Sequence, residues 1–136
     1  MGIFFCKPKS TILTEALKSG YFYLQENECK STVIPQGKWK GKVYYIHKLI
    51  YDGNMNNGKP DGYGMLFSSW RKLKIPKNGI RFEGMFEDGK MKGFGRIYFI
   101  DGTNSSYYFF GEEIFNSEEC YNKYLLKLHV QKNKNQ

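Results

Sequence analysis

Apolar and polar positions alternate with a period of two from Phe82 to Glu87, with Phe82, Gly84 and Phe86 on one side and Glu83, Met85 and Glu87 on the other. That alternation predicts a strand with one buried and one solvated face. Tyr21 to Leu24 predicts a first strand, and the aromatic and β-branched run from Lys42 to Tyr51 predicts another. Helical spacing occurs only near the ends. Ser10 can cap a short helix over Thr11 to Lys18 that Gly20 stops. Asn116, with Glu119 three residues on, predicts a capping box before Tyr121, Tyr124, Leu125 and Leu128, whose stripe suits a helix covering the last hairpin. The expected architecture is mainly β. Consecutive antiparallel hairpins form a single twisted, elongated sheet, with a short N-terminal helix and a C-terminal capping helix. The implied divisions are a tail over 1–9, helix and leading strand over 10–36, sheet over 37–115, capping helix over 116–130 and a mobile polar tail over 131–136.

The middle of the chain repeats itself. Tyr51 to Phe67 reads YDGNMNNGKPDGYGMLF and Phe82 to Tyr98 reads FEGMFEDGKMKGFGRIY. An offset of 31 carries Tyr51, Gly53, Gly58, Lys59, Gly62, Gly64 and Phe67 onto Phe82, Gly84, Gly89, Lys90, Gly93, Gly95 and Tyr98 without a gap. Asn57-Gly58 and Asp88-Gly89 are hairpin-turn dipeptides, so each unit predicts strand, turn, strand. The glycines at 62, 64, 93 and 95 leave room for an aromatic ring of an adjoining strand. The pattern aromatic-x-Gly, Gly-Lys, Gly-x-Gly resembles the MORN repeat, which runs roughly Y-x-G-x-W-x-x-G-K-x-x-G-x-G. Met55 stands near its Trp, and residues 68 to 79 lengthen the link between the units, which leaves strand continuity open there. Gly37-Lys38 and Gly41 predict a degenerate unit 21 residues upstream, with Val43 in place of its second glycine, and Phe109-Phe110-Gly111 a partial unit downstream.

Composition narrows the partners. The chain of 136 residues holds 11 Tyr, 11 Phe and 15 Gly, and its net charge of +8 comes almost wholly from lysine. Such a surface suits anionic membranes or acidic proteins. Clustered arginine and a reading motif are missing, which argues against nucleic acid. Cys6, Cys29 and Cys120 are widely spaced, with only His47 and His129 as co-ligands, so neither a disulfide framework nor a zinc site is signalled, and a reducing setting is expected. Cys29 and Cys120 read as buried small hydrophobes. No apolar run of about 18 residues occurs.

No catalytic motif is present, and the G-x-G pairs belong to the hairpins, so no enzyme and no cofactor are expected. His47 reads as a structural residue in an apolar strand. The N-terminus has chemistry of its own. Met1-Gly2 offers a myristoylation site and Cys6 a palmitoylation site, followed by Lys7 and Lys9, an arrangement similar to that of dually acylated kinases of the Src family. One myristoyl chain binds membranes weakly, with an association constant of about 10⁴ M⁻¹, so a second acyl group and a basic patch complete the anchor. The other reading packs Ile3, Phe4 and Phe5 on the body. The loop WRKLKIPK adds Arg71, Lys72, Lys74 and Lys77 as candidate membrane-surface cations; its other reading is a solvated insertion in which Trp70 and Leu73 pack locally.

The MORN resemblance implies a non-enzymatic adaptor, and the acylation signal at Gly2 and Cys6 places it, as an expectation, at the cytoplasmic face of a plasma membrane or associated inner membrane system. An aromatic groove of Tyr51, Tyr63, Phe82, Phe86 and Phe94 is expected to hold a peptide or helix of a protein partner. Direct phospholipid binding and service as a regulatory subunit of an enzyme are the alternatives. MORN proteins also occur in the membrane-linked cytoskeleton of protozoan parasites, and the Lys- and Asn-rich composition suits an AT-rich genome of that kind. Oligomeric state is not legible at this level.

Overall fold

A computed structural model describes residues 20–134. The predicted helix over Thr11 to Lys18 and the tail carrying Gly2, Cys6, Lys7 and Lys9 lie outside them. Eight strands make one antiparallel sheet in strict sequence order, each paired with the next. They are β1 (Tyr21–Gln25), β2 (Lys38–Tyr45), β3 (Lys48–Asn56), β4 (Lys59–Leu66), β5 (Arg81–Glu87), β6 (Lys90–Tyr98), β7 (Asn104–Phe110) and β8 (Glu113–Phe115), followed by α1 (Glu118–Lys134).

The run from Lys42 to Tyr51 is two strands and not one. The chain reverses at Ile46-His47, where both residues have positive φ, 44° and 65°. This is the two-residue turn geometry that Asn57-Gly58 (48°, 81°) and Asp88-Gly89 (49°, 80°) adopt. Ile46 and His47 carry no turn chemistry, so sequence gave no break; pairing of Tyr45 with Lys48 forces the reversal. His47 is therefore an exposed hairpin tip, not a residue of an apolar strand.

Glycines set how closely the strands and rings approach. Register places Gly41 beside Gly53, Gly53 beside Gly64, Gly64 beside Gly84 and Gly84 beside Gly95, a glycine row across five strands. Gly41 is thus the counterpart of Gly64, two residues away from the predicted alignment with Gly62, and Val43 matches Leu66 instead of a lost glycine. Over this row lie the rings. A Cβ on Gly64 would overlap the Tyr51 ring, and one on Gly95 would stand 2.5 Å from Phe82 Cε2. Gly62 and Gly93 differ: no ring fills their place, and their φ of 102° and 85° meets an irregularity in the β3–β4 and β5–β6 ladders.

Successive units are joined at their turns. Gly89 N–H donates to the Pro60 carbonyl at 2.9 Å, and Gly111 N–H donates to that of Met91, 31 residues further on, at the same distance. Gly111 is therefore a hairpin-turn glycine, with the three-residue β8 as the stub of the partial unit's second half. The aliphatic stem of Lys59 runs under Gly89, which gives the Gly-Lys pair of the repeat a structural role.

The inserted segment after β4 keeps the sheet continuous. Gly62 to Leu66 pair with Phe82 to Phe86, and the insert folds as two tight reversals, with Trp70 and Leu73 exchanging backbone hydrogen bonds and Gly79 N–H donating to Pro76. At the other end α1 starts one residue later than predicted. Ser117, not Asn116, is the cap, its Oγ accepting from Cys120 N–H at 3.2 Å. The helix also takes in Gln131 to Lys134, where helix-forming Gln and Lys and two cations in the last turn extend it. Cys120 is exposed, contrary to expectation, because it lies in the first turn of α1 away from the sheet, and Cys29, half-buried, is disulfide-bonded, against the expectation of a thiol kept free in a reducing setting.

Candidate functional site

The sheet has a packed face and an open face. On the packed face an unbroken line of ring contacts runs Trp70, Tyr51, Phe86, Phe82, Phe109, Tyr107, with centroid separations from 5.2 to 6.2 Å. Most of these meet edge to face, the arrangement the ring quadrupole favours, worth about 0.5–1.5 kcal/mol per pair beyond area burial. Tyr51 Oη donates to the Asn54 carbonyl at 2.7 Å. Burial, followed by the charges of Asp52 and Asp61, pushes its ionisation far above the usual tyrosine range. Burial likewise raises Tyr23, against the opposing effect of Arg71.

The packed face is closed by the chain itself. Trp70 is buried, and Leu73 and Ile75 pack on the same core. The loop WRKLKIPK therefore divides its chemistry by side: apolar residues plug the sheet, while Arg71, Lys72, Lys74 and Lys77 stay exposed. Two of those cations also lie over rings, Arg71 over Tyr21 and Trp70 at 5.5 Å each and Lys77 over Tyr107 at 5.1 Å. The indole N–H of Trp70 is buried without an acceptor, so packing and the Arg71 contact, not a hydrogen bond, hold the ring.

The predicted five-residue groove does not form. Tyr51, Phe82 and Phe86 are core residues, 0–2% exposed, whereas Tyr63 and Phe94 are 51% and 48% exposed on the opposite face. Period-two alternation separates them: Gly64, the neighbour of Tyr63, points inward, so Tyr63 points out. Sequence groups these five aromatics in one groove because membership of the repeat pattern carries no sidedness.

On the open face Tyr63 stands opposite Met85, itself 44% exposed, and Phe94 stands opposite Tyr108 with ring centroids 5.7 Å apart. Met85 was not singled out as functional, although its alternation with Glu83 and Glu87 already placed it outward. Slight desolvation, and then the neighbouring Glu83 carboxylate, raise the Tyr63 pKa. Arg96 sits across from Glu83 in register, and Lys92 pairs with Glu87 at 2.7 Å. Further along, α1 covers the same face. Tyr121 stacks on Tyr108 at 5.6 Å, and Tyr124 meets Phe110 and Phe115 at 5.6 and 5.0 Å.

Hairpin, turn glycine and glycine row recur at the residues where the MORN repeat family model matches, 51–70 and 82–104. Both segments are similar to MORN repeats. The first match extends to Trp70, the residue that closes the packed face over its own repeat. No curated protein and no solved structure matches the chain. MORN repeats are protein- and lipid-binding modules, typically non-enzymatic, so the open strip of Tyr63, Met85 and Phe94 and the exposed loop cations are the surfaces to weigh. Among the described residues no helix is long and apolar enough to cross a membrane, and no group of three or more metal-ligating side chains occurs.

Proposed function

We propose that this chain is a non-enzymatic MORN-repeat adaptor that holds an amphipathic helix of a protein partner on the open face. Acylation of Gly2 and Cys6, with Lys7 and Lys9 beside them, tethers it to the cytoplasmic face of a membrane. The observation that carries the docking reading is the strip of Tyr63, Met85 and Phe94, three large side chains about half exposed on neighbouring strands. The chain's own α1 supplies a precedent, since it lays Tyr121 and Tyr124 on rings of the same face. Rings bury much area at little entropy cost, which makes such a strip a favourable anchor for binding. Hydrogen exchange of the complex with a captured partner tests the reading: protection on β4 to β6 and loss of capture in Phe94→Asp are expected. Equal capture by that variant overturns it. Intact mass of the native protein tests the anchor, and an unmodified mass at Gly2 and Cys6 removes it.

A second reading is supported by Arg71, Lys72, Lys74 and Lys77, whose exposure on one loop suits anionic head groups, each worth roughly 1 kcal/mol near such a surface. Binding of the non-acylated protein to anionic vesicles should then vanish at high salt. Absence of binding at low salt removes that reading.

A further inference from the structure

The chain has three cysteines, and their states differ. Cys29 is disulfide-bonded, while Cys120 is free and exposed in the first turn of α1. Within one chain that leaves Cys6 as the remaining sulfur for the bond. Cys6 is also the residue that the proposed anchor needs as a thiol, because a sulfur held in a disulfide has no thiolate to accept an acyl group.

The surroundings of Cys29 allow the bond to open and close without disturbing the sheet. Cys29 lies in the connection from β1 to β2, and that connection is fixed by other means. Tyr23 and Ser31 exchange backbone hydrogen bonds of 2.7 and 2.8 Å, and Glu28 N–H donates to the Gln25 carbonyl at 3.2 Å. The Lys30 ammonium lies over the rings of Phe22 and Tyr44 at 5.9 and 5.2 Å. Every residue of β1 pairs with β2. Reduction therefore frees the N-terminal segment and leaves Cys29 in place beside β1. Disulfides of reducing compartments are for the most part transient and redox-sensing, which favours a reversible bond over a structural staple. A lysine follows each of the two cysteines, Lys7 and Lys30, and their charge suits an anionic small disulfide as oxidant.

We propose that Cys6 alternates between a disulfide with Cys29 and a palmitoyl thioester, so that oxidation withholds the second acyl anchor. In forming the disulfide, one protein thiolate attacks a sulfur of a low-molecular-weight disulfide such as oxidised glutathione and expels one thiolate. The other cysteine attacks the mixed disulfide at the protein sulfur and expels the second. The two cysteines lose two electrons and two protons, and the small disulfide takes them up as two thiols. In acylation the reduced Cys6 attacks the carbonyl of a palmitoyl thioester, and the carrier leaves as a thiol with the proton. The inference rests on the acylation of Cys6 proposed above. A myristoyl chain alone binds membranes with an association constant of about 10⁴ M⁻¹, so withholding palmitate shifts the protein toward the soluble pool.

Tryptic mapping of the non-acylated full chain without reductant should find residues 1–9 joined to residues 19–30, with Cys120 alkylated, and a thiol reductant should part the pair. In cells, a thiol oxidant should suppress incorporation of labelled palmitate into wild type and move the protein to the soluble fraction. Cys29→Ser should keep both palmitate and membrane binding under the same treatment, with Cys6→Ser as the unlabelled control. Absence of the joined peptides, or a Cys29→Ser protein that loses palmitate as wild type does, overturns the inference and leaves acylation standing. Joined peptides with no palmitate on Cys6 in untreated wild type or in Cys29→Ser remove the acylation reading, and the switch with it.

Discussion

The two faces of the sheet are built from the same repeats yet meet opposite fates. On the packed face the glycine row lets Tyr51 and Phe82 lie flat against the strands, and the loop that brings Trp70, Leu73 and Ile75 seals them. On the open face Tyr63, Met85 and Phe94 occupy neighbouring strands and receive no such seal from the described residues, although α1 covers the rings just beyond them. A single-layer sheet always has a second side, and among the described residues the apolar side chains seal one side and cover only part of the other.

If that division is correct, truncating the seal costs most. Trp70→Ala should lower stability by about 3–5 kcal/mol in denaturant unfolding. Trp70→Phe should cost far less, since the indole N–H has no acceptor to lose. Next comes Gly64→Val, for which a loss of about 3 kcal/mol is expected because the new side chain meets the Tyr51 ring. Gly62→Ala, strained at φ 102° but free of ring contact, should cost about 1–2 kcal/mol.

Tyr51→Phe removes the bond to Asn54 and should cost about 1 kcal/mol near neutral pH. Its pH dependence gives a sharper test. The folded protein holds Tyr51 neutral while the unfolded chain ionises near the ordinary value of 10.0. Above that pH the folded state binds more protons, so stability is complete below 10 and falls as pH rises. The variant should lose less stability between neutral and alkaline pH than wild type, with Tyr23 accounting for some of what remains. Smallest of all, Tyr63→Ser and Phe94→Ser should stay within about 0.5 kcal/mol of wild type while abolishing partner capture. A large destabilisation from either would mean the open face is sealed after all.

The repeat was legible because its constraints are local. Asn57-Gly58 and Asp88-Gly89 specify their turns within two residues, and the 31-residue offset reappears between Pro60 and Met91, the carbonyls that accept from the next turn's glycine. Ile46-His47 was not legible, since nothing in those side chains favours positive φ and only pairing across β2 and β3 demands it. The alignment of Gly41 failed for a related reason: the irregularity at Gly62 adds residues to β4 that a string comparison counts as equivalent.

For the site, the sequence supplied the aromatic inventory and, through alternation, the outward side of Met85, but not which of Tyr51, Tyr63, Phe82, Phe86 and Phe94 share a surface. Sequence by itself determined the hairpins, their order and the turn glycines, because those depend on backbone freedom and near-neighbour pairing. Only the tertiary structure decided that the Trp70 loop closes one face and that α1 reaches just part of the other. Such coverage depends on where a distant segment comes to rest, and burial of apolar area has no direction along the chain.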